Sequence, residues 1–107
     1  MAVDVDDSAA TTAVLKALAE PVRWRIVELL AAEELCVCHL VEELDAPQPL
    51  VSHHLRVLRG IGLVSTERYR YWTYYRLETA ALAPLATRLV QMAEKPRAST
   101  DRRRPCC

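Results

Sequence analysis

The chain has 107 residues and a formal net charge of zero, with 14 basic and 14 acidic side chains. This length suits one domain, and a composition that is 51% hydrophobic with two glycines and no phenylalanine favours a compact helical protein. No apolar run approaches the ~20 residues of a membrane span, and the acidic N-terminus lacks the apolar segment of a signal peptide. We therefore expect a cytoplasmic protein with no membrane partner, whose four cysteines are reduced.

The first two helices are predicted from capping and helix-start residues. Ser8 can cap a helix that runs to about Ala19, and residues 1–7 before it are expected to be disordered. Pro21 suits the first turn of a second helix, because proline has no backbone N–H to donate there. Helical spacing of the apolar residues after Pro21 supports this second helix.

A helix-turn-helix is predicted over residues 37–59. Apolar residues at i, i+3, i+4 and i+7 indicate a short third helix over residues 37–44, and Asp45-Ala46-Pro47 breaks it. A fourth helix is predicted from Gln48 to Arg59. Its inner face is formed by Val51, His54, Leu55 and Leu58. Two helices joined by such a tight break form a helix-turn-helix.

A β-hairpin is predicted after the fourth helix. Residues 63–68 and 71–77 are rich in β-branched and aromatic side chains, with the turn near Tyr69-Arg70. A hairpin in this position is a wing, and a last helix is predicted from Thr79 to Glu94. The fold class is therefore mainly α with a small β-hairpin, a winged helix-turn-helix.

Two units follow from this division of the chain. Residues 8–94 are predicted to form one winged helix-turn-helix domain. Residues 95–107 are too polar to build a core and are predicted to be a flexible basic tail that ends in Cys106-Cys107.

A DNA-binding face is predicted on the fourth helix and the hairpin. Residues 56–76 contain five arginines and one acidic residue, although the chain as a whole is neutral. Glutamine and serine near the start of a recognition helix suit base edges, and arginines suit phosphates. The predicted contacts are Gln48, Ser52, His53, Arg56, Arg59, Arg68 and Arg70. The alternative is a solvated polar surface.

Cys36 and Cys38 are candidate ligands for a thiophilic ion. Residues at i and i+2 point about 200° apart on an α-helix but to the same side of an extended segment. The two thiols can therefore share an ion only where the third helix starts. Cys106, Cys107 and, for a borderline ion, His39 are candidates for a further ligand.

Other interpretations of Cys36 and Cys38 are small buried hydrophobic residues or a redox pair. A thiol-redox enzyme is disfavoured, because there is no Cys-x-x-Cys and no alternation of strands and helices.

Three segments resemble the arsenic-repressor (ArsR/SmtB) family of bacterial winged-helix metalloregulators. They are Pro21-Val22-Arg23-Trp24-Arg25-Ile26, Glu34-Leu35-Cys36-Val37-Cys38 and Ser52-His53-His54-Leu55-Arg56-Val57-Leu58. The resemblance covers about residues 12–94. It implies a regulator without enzymatic activity that binds an inverted-repeat operator DNA as a homodimer and leaves it when metal binds. The first and last helices would form the dimer, through Leu15, Leu18, Leu82, Leu85, Leu89 and Met92.

The resemblance also narrows the inducing ligand. The segment around Cys36 is similar to members that sense arsenite, antimonite, cadmium or lead. The arsenite-sensing motif Cys-Val-Cys-Asp-Leu-Cys, however, reads here Cys36-Val37-Cys38-His39-Leu40-Val41. The last helix contains neither Asp nor His, which excludes the site of the zinc sensors. The implied inducer is arsenite or antimonite on Cys36, Cys38, Cys106 and Cys107, without an organic cofactor. Cadmium, lead or thiol oxidation is the alternative signal.

Overall fold

The computed structural model describes residues 5–97 and 103–106, and the side chains from Ala9 onward. Within these residues the chain forms five helices and one two-stranded antiparallel sheet. The elements are α1 (Val5–Leu18), α2 (Pro21–Ala32), α3 (Val37–Leu44), α4 (Gln48–Gly60), β1 (Val64–Tyr69), β2 (Trp72–Leu77) and α5 (Thr79–Glu94). The predicted winged helix-turn-helix is confirmed.

The start of the first helix differs from the prediction. Helix α1 begins at Val5, so the prediction that Ser8 caps it is wrong, and residues 5–7 are helical rather than disordered. No proline or glycine lies between Val5 and Pro21, so no residue in this stretch interrupts the helix. The disorder predicted for residues 1–4 falls outside the described residues.

Helices α3 and α4 form the predicted helix-turn-helix. Asp45 ends α3 in the left-handed conformation, with φ 48°, which aspartate tolerates better than most residues. Pro47 is the N-cap of α4. All four predicted inner-face residues of α4 are buried, and the three apolar ones pack in one core with residues of the other helices and of β1.

A polar network fixes α4 against α2. The Nε of Arg23 donates to the carbonyl of Ala17 at 2.8 Å, and its Nη1 lies 3.1 Å from Nδ1 of His54. Because arginine always donates, Nδ1 of neutral His54 accepts, and the ring proton is on Nε2. The Glu20 carboxylate lies 3.7 Å from the same Nδ1. Burial lowers the pKa of His54 most, Glu20 opposes this, and Arg23 and His53 add to it.

The wing is a tight hairpin. Its strands pair from Val64 opposite Leu77 to Tyr69 opposite Trp72, so the turn is Arg70-Tyr71, one residue later than predicted. Arg70 has φ 58°, a conformation that favours glycine and costs a bulky residue free energy.

Helix α5 packs on α1 and closes the core. Leu85 of α5 is buried with Val14 and Ala17 of α1, and Arg88 Nη1 lies 3.1 Å from Thr11 Oγ1. The described helices include none that is long and apolar enough to cross a membrane.

Candidate functional site

The predicted DNA-binding side chains lie on one helix and on the adjoining hairpin. Gln48, His53, Arg56 and Arg59 are exposed along α4, and Ser52 is half-buried. Because the opposite side of α4 is buried, these polar side chains form the solvent face of the second helix of the helix-turn-helix.

The wing tip holds its two arginines in a defined arrangement. Arg68 and Arg70 are exposed. The Nε of Arg68 donates to the carbonyl of Arg70 at 3.4 Å, and the guanidinium of Arg70 lies 5.5 Å from the centre of the Tyr69 ring. A cation over an aromatic face is attracted to it, so the tip presents positive charge on an ordered turn.

The thiol segment spans the start of α3. Cys36 is the N-cap residue, with extended backbone at φ −80° and ψ 164°, and Cys38 lies in the first turn. The predicted position of the two thiols at the start of the third helix is therefore confirmed. Their surroundings differ, because Cys36 is buried and Cys38 is exposed.

The side chain of His39 takes part in the N-terminal cap of α3. Its Nδ1 accepts the backbone N–H of Cys36 at 3.0 Å, which places the proton of the neutral ring on Nε2. A metal bound at Nε2 would have to displace that proton, and moving it to Nδ1 would break the cap. This tautomer argues against His39 as a metal ligand.

The structure describes three of the four cysteines and does not group these three. Cys106 is exposed, and Cys107 lies outside the described residues. Among the residues that are described, no three Cys, His, Asp or Glu side chains are grouped as a metal site would require. The thiols fit a thiophilic ion by their chemistry, but Cys36 and Cys38 alone provide two of the three thiolates that a trigonal site needs.

Sequence reasoning missed the residues that β2 contributes to this site. The backbone N–H of Leu35 donates to the carbonyl of Tyr75 at 3.1 Å, and the N–H of Tyr75 donates back at 2.8 Å. One residue along on each side, Cys36 interacts with Tyr74, and Arg76 Nη1 lies 3.7 Å from a carboxylate oxygen of Glu34. Residues 34–36 thus lie beside β2 in antiparallel register.

The pKa of Tyr74 is shifted by its surroundings. It is raised above its usual value mainly by the charge of Cys36, then by partial desolvation, by a hydrogen bond to Cys36 and by the charge of Cys38. The register set by Leu35 and Tyr75 agrees with this, because it places Cys36 opposite Tyr74. No short-range sequence pattern indicates the contact between Cys36 and Tyr74, because 37 residues lie between them.

The predicted dimer residues divide into two groups. Leu85 is buried in the core of its own subunit, and Leu18 and Leu82 pack against that core. Leu15, Leu89 and Met92 are instead 47%, 49% and 68% exposed. They line a groove of about 470 Å³ between α1 and α5.

Comparison with known proteins agrees with this architecture. Residues 14–66 match the model of a bacterial regulatory protein family, the arsR family. The chain is 37% identical to the arsenic resistance transcriptional regulator ArsR1 of Pseudomonas putida, over 78% of this chain and 80% of that protein. The chain belongs to the arsR family. This is a family of DNA-binding transcriptional regulators rather than of enzymes, which removes the thiol-redox enzyme from consideration.

Two further comparisons place the chain within the ArsR family. It is 48% identical to the HTH-type transcriptional repressor SmtB of Mycobacterium tuberculosis, over 64% of this chain and 51% of that protein. The solution structure of the homodimeric winged helix-turn-helix domain of Mb0332 from Mycobacterium bovis matches with a TM-score of 0.68 and 26% identity. That match covers 91% of this chain and 93% of the other.

Proposed function

We propose that this ArsR-family protein is a cytoplasmic repressor that binds an inverted-repeat operator as a homodimer and is released by arsenite or antimonite. Cys36, Cys38 and at least one of Cys106 and Cys107 would hold the ion. The observation that carries the proposal is the placement of Cys36 at the N-cap of α3, directly before the helix-turn-helix.

The thiols suit a soft ion with low coordination number. Each thiol that bonds to arsenic displaces one hydroxyl group of arsenous acid as water, and thiolates prefer such soft centres to hard ones. Because Cys36 is buried and Cys38 is exposed, one of the two side chains must reorient before both can hold the same ion. That reorientation would disturb the first turn of α3.

Movement of α3 is the proposed route to the DNA-reading helix. Only three residues, 45–47, separate α3 from α4, and Leu40 of α3 packs in the same core as Val51 and Leu55 of α4. A ligand shifts a two-state equilibrium only by its difference in affinity for the two states. The difference in affinity would arise at the first turn of α3. The conformation of this turn that binds the ion would not allow α4 to take its DNA-bound position.

The relatives support both parts of the proposal. The Pseudomonas putida protein is named for arsenic resistance, and the Mycobacterium bovis domain is a homodimer. The exposed groove lined by Leu15, Leu89 and Met92 is the apolar surface on which we place the dimer contact.

The experiment is a titration of the fully reduced protein with arsenite, antimonite, cadmium and lead. Thiolate absorption reports binding, and a fluorescently labelled operator reports release. Arsenite and antimonite should bind and release DNA, whereas a response to cadmium or lead alone would replace the proposed inducer by a borderline metal. Release by a mild oxidant without any ion would instead indicate a thiol-redox signal.

Two tail variants test the third ligand. Replacing Cys106 and Cys107 by serine keeps the charge of the tail and removes its thiols, and a chain that ends at Arg104 serves as the matched comparison. Both variants should lose arsenite release and keep operator binding. If both are released like the full chain, the tail does not supply a ligand.

A further inference from the structure

The thiol segment, residues 34–36, is joined to the wing by an isolated antiparallel bridge between Leu35 and Tyr75. Glu34, Leu35 and Cys36 lie opposite Arg76, Tyr75 and Tyr74, and each pair of residue numbers adds to the same total, as an antiparallel ladder requires. Leu35 and Tyr75 exchange both backbone hydrogen bonds. The pairs on either side are therefore non-hydrogen-bonded pairs, the kind whose Cα atoms approach to about 4.5 Å.

This bridge places β2 between residues 34–36 and β1, so β2 connects the thiol segment to the predicted DNA contact at the wing tip. Tyr74 faces Cys36 on one side and pairs with Glu67 of β1 on the other. Arg68 follows Glu67 directly, and its Nε is bonded to the carbonyl of Arg70 in the turn. Tyr74 lies two residues after Trp72, the first residue of β2, a distance of about 7 Å along the strand.

We propose that an ion bound by Cys36 and Cys38 acts on the wing directly, through residues 34–36 and β2, with Tyr74 as the positioning residue that couples the thiols to the wing. This inference rests on the proposed function and adds a second route to the movement of α3. Cys36 is buried beside Tyr74, and Cys38 faces solvent. Drawing both sulfur atoms onto one ion therefore displaces Cys36 from Tyr74 or pulls β2 with it.

The ion pair between Glu34 and Arg76 makes the segment and the strand move together. Arg76 also lies 3.2 Å from Glu67 and 3.4 Å from Glu78, so this one side chain links residue 34, β1 and the N-cap of α5. Such exposed pairs add little stability singly. Their role in this proposal is to keep residues 34–36 aligned with β2, while the backbone bonds of Leu35 hold the two together.

The test uses Tyr74→Phe, which removes only the hydroxyl group. Tyr71→Phe is the matched control, because Tyr71 lies in the same hairpin and its side chain is 89% exposed. Operator affinity is measured for each protein with and without saturating arsenite, and thiolate absorption confirms that the ion is bound. The ratio of the two affinities measures the coupling.

A tryptophan reporter separates the wing from the rest of the protein. The chain has two tryptophans, Trp24 on α2 and Trp72 on β2. Trp24→Phe leaves Trp72 as the sole emitter in the wing, and Trp72→Phe leaves the reporter on α2. Arsenite should change the emission of Trp72 in DNA-free protein, and adding Tyr74→Phe should reduce that change.

The expected result is loss of coupling without loss of binding. Coupling between two sites typically changes affinity 5- to 150-fold, and Tyr74→Phe should lower the factor found for the unmodified protein by about fivefold or more. Thiolate absorption, operator affinity without arsenite and the unfolding temperature should stay unchanged. Tyr71→Phe should keep the full factor.

Two negative outcomes are distinct. If the unmodified protein responds to arsenite and Tyr74→Phe responds equally, with no arsenite effect on Trp72, the wing route is wrong and the proposed function stands. If the unmodified protein binds no thiophilic ion or stays on DNA when it does, the proposed function fails and this inference fails with it.

Discussion

Replacing Leu89 and Met92 of α5 together by alanine should convert the proposed dimer into monomers. Burying a Leu or Met side chain fully is worth about 1.5–3 kcal/mol. Leu89 is 49% exposed and Met92 is 68% exposed, so about half of one and two-thirds of the other remain to be covered by a partner. Covering these two side chains at the interface then contributes about 2–3.5 kcal/mol per subunit to the free energy of association, and the alanine side chains would retain a part of it.

The symmetry of a dimer doubles this effect. In a two-fold interface each substitution occurs twice, so the double variant should cost about 2–5 kcal/mol per dimer. Since each 1.4 kcal/mol is a factor of ten, the dissociation constant should rise roughly 30-fold to 4,000-fold. Sedimentation equilibrium of the reduced, DNA-free protein over a range of concentrations measures this constant.

Two comparison variants separate dimerisation from folding. Leu50→Ala changes a leucine of similar exposure, 40%, on α4, and should leave the dimer intact. Leu85→Ala opens a cavity in the core of its own subunit and should lower the free energy of unfolding by about 2–5 kcal/mol. A folded Leu89→Ala, Met92→Ala double variant that keeps the dissociation constant of the unmodified dimer would refute the groove between α1 and α5 as the interface.

Three further predictions concern DNA binding, ligand release and pH. Gln48→Ala should weaken the free energy of binding to the operator by about 1–3 kcal/mol and change binding to random DNA little. Arg68→Ala should instead weaken binding to all sequences and lower the slope of log affinity against log salt concentration by about 1, as filter binding at several salt concentrations would show. A change of sequence preference in the Arg68 variant alone would contradict this division. Cys36→Ser should keep operator affinity and abolish release by arsenite in a mobility-shift titration, and retained release would remove Cys36 from the ligand set. Burial lowers the pKa of His54 in the folded protein below 6.5, its usual value. Between the pKa of the folded protein and 6.5, the unfolded chain therefore binds more protons than the folded protein does. The free energy of unfolding should fall as the pH falls through that window, by at most about 1.4 kcal/mol per pH unit. Urea unfolding between pH 5 and 7.5 measures this slope, which His54→Gln should flatten; an unchanged slope would show that another group titrates.

Local sequence patterns predicted α3, α4 and α5 closely because their signals are short-range. The apolar spacing over residues 37–44, the break at residues 45–47 and the inner face of α4 all act within a few residues. The same is true of the strands, where β-branched and aromatic residues follow each other directly. The predicted start of α1 was four residues too late, because a possible cap at Ser8 does not prevent an earlier start when the residues before it can also be helical.

The sequence by itself identified Cys36 and Cys38 and placed them at the start of a helix, because the helical period of residues 37–44 and the spacing of the two thiols are both local. Only the tertiary structure decided that one thiol is buried and the other exposed, and that Leu35 pairs with Tyr75. It also decided that Leu85 is used by its own subunit while Leu89 and Met92 stay exposed. The physical reason is the same in each case. Burial and strand pairing depend on which distant segment of the chain lies opposite a residue. An apolar stripe on a helix repeats with the same period whether it packs on the core of its own chain or on a partner.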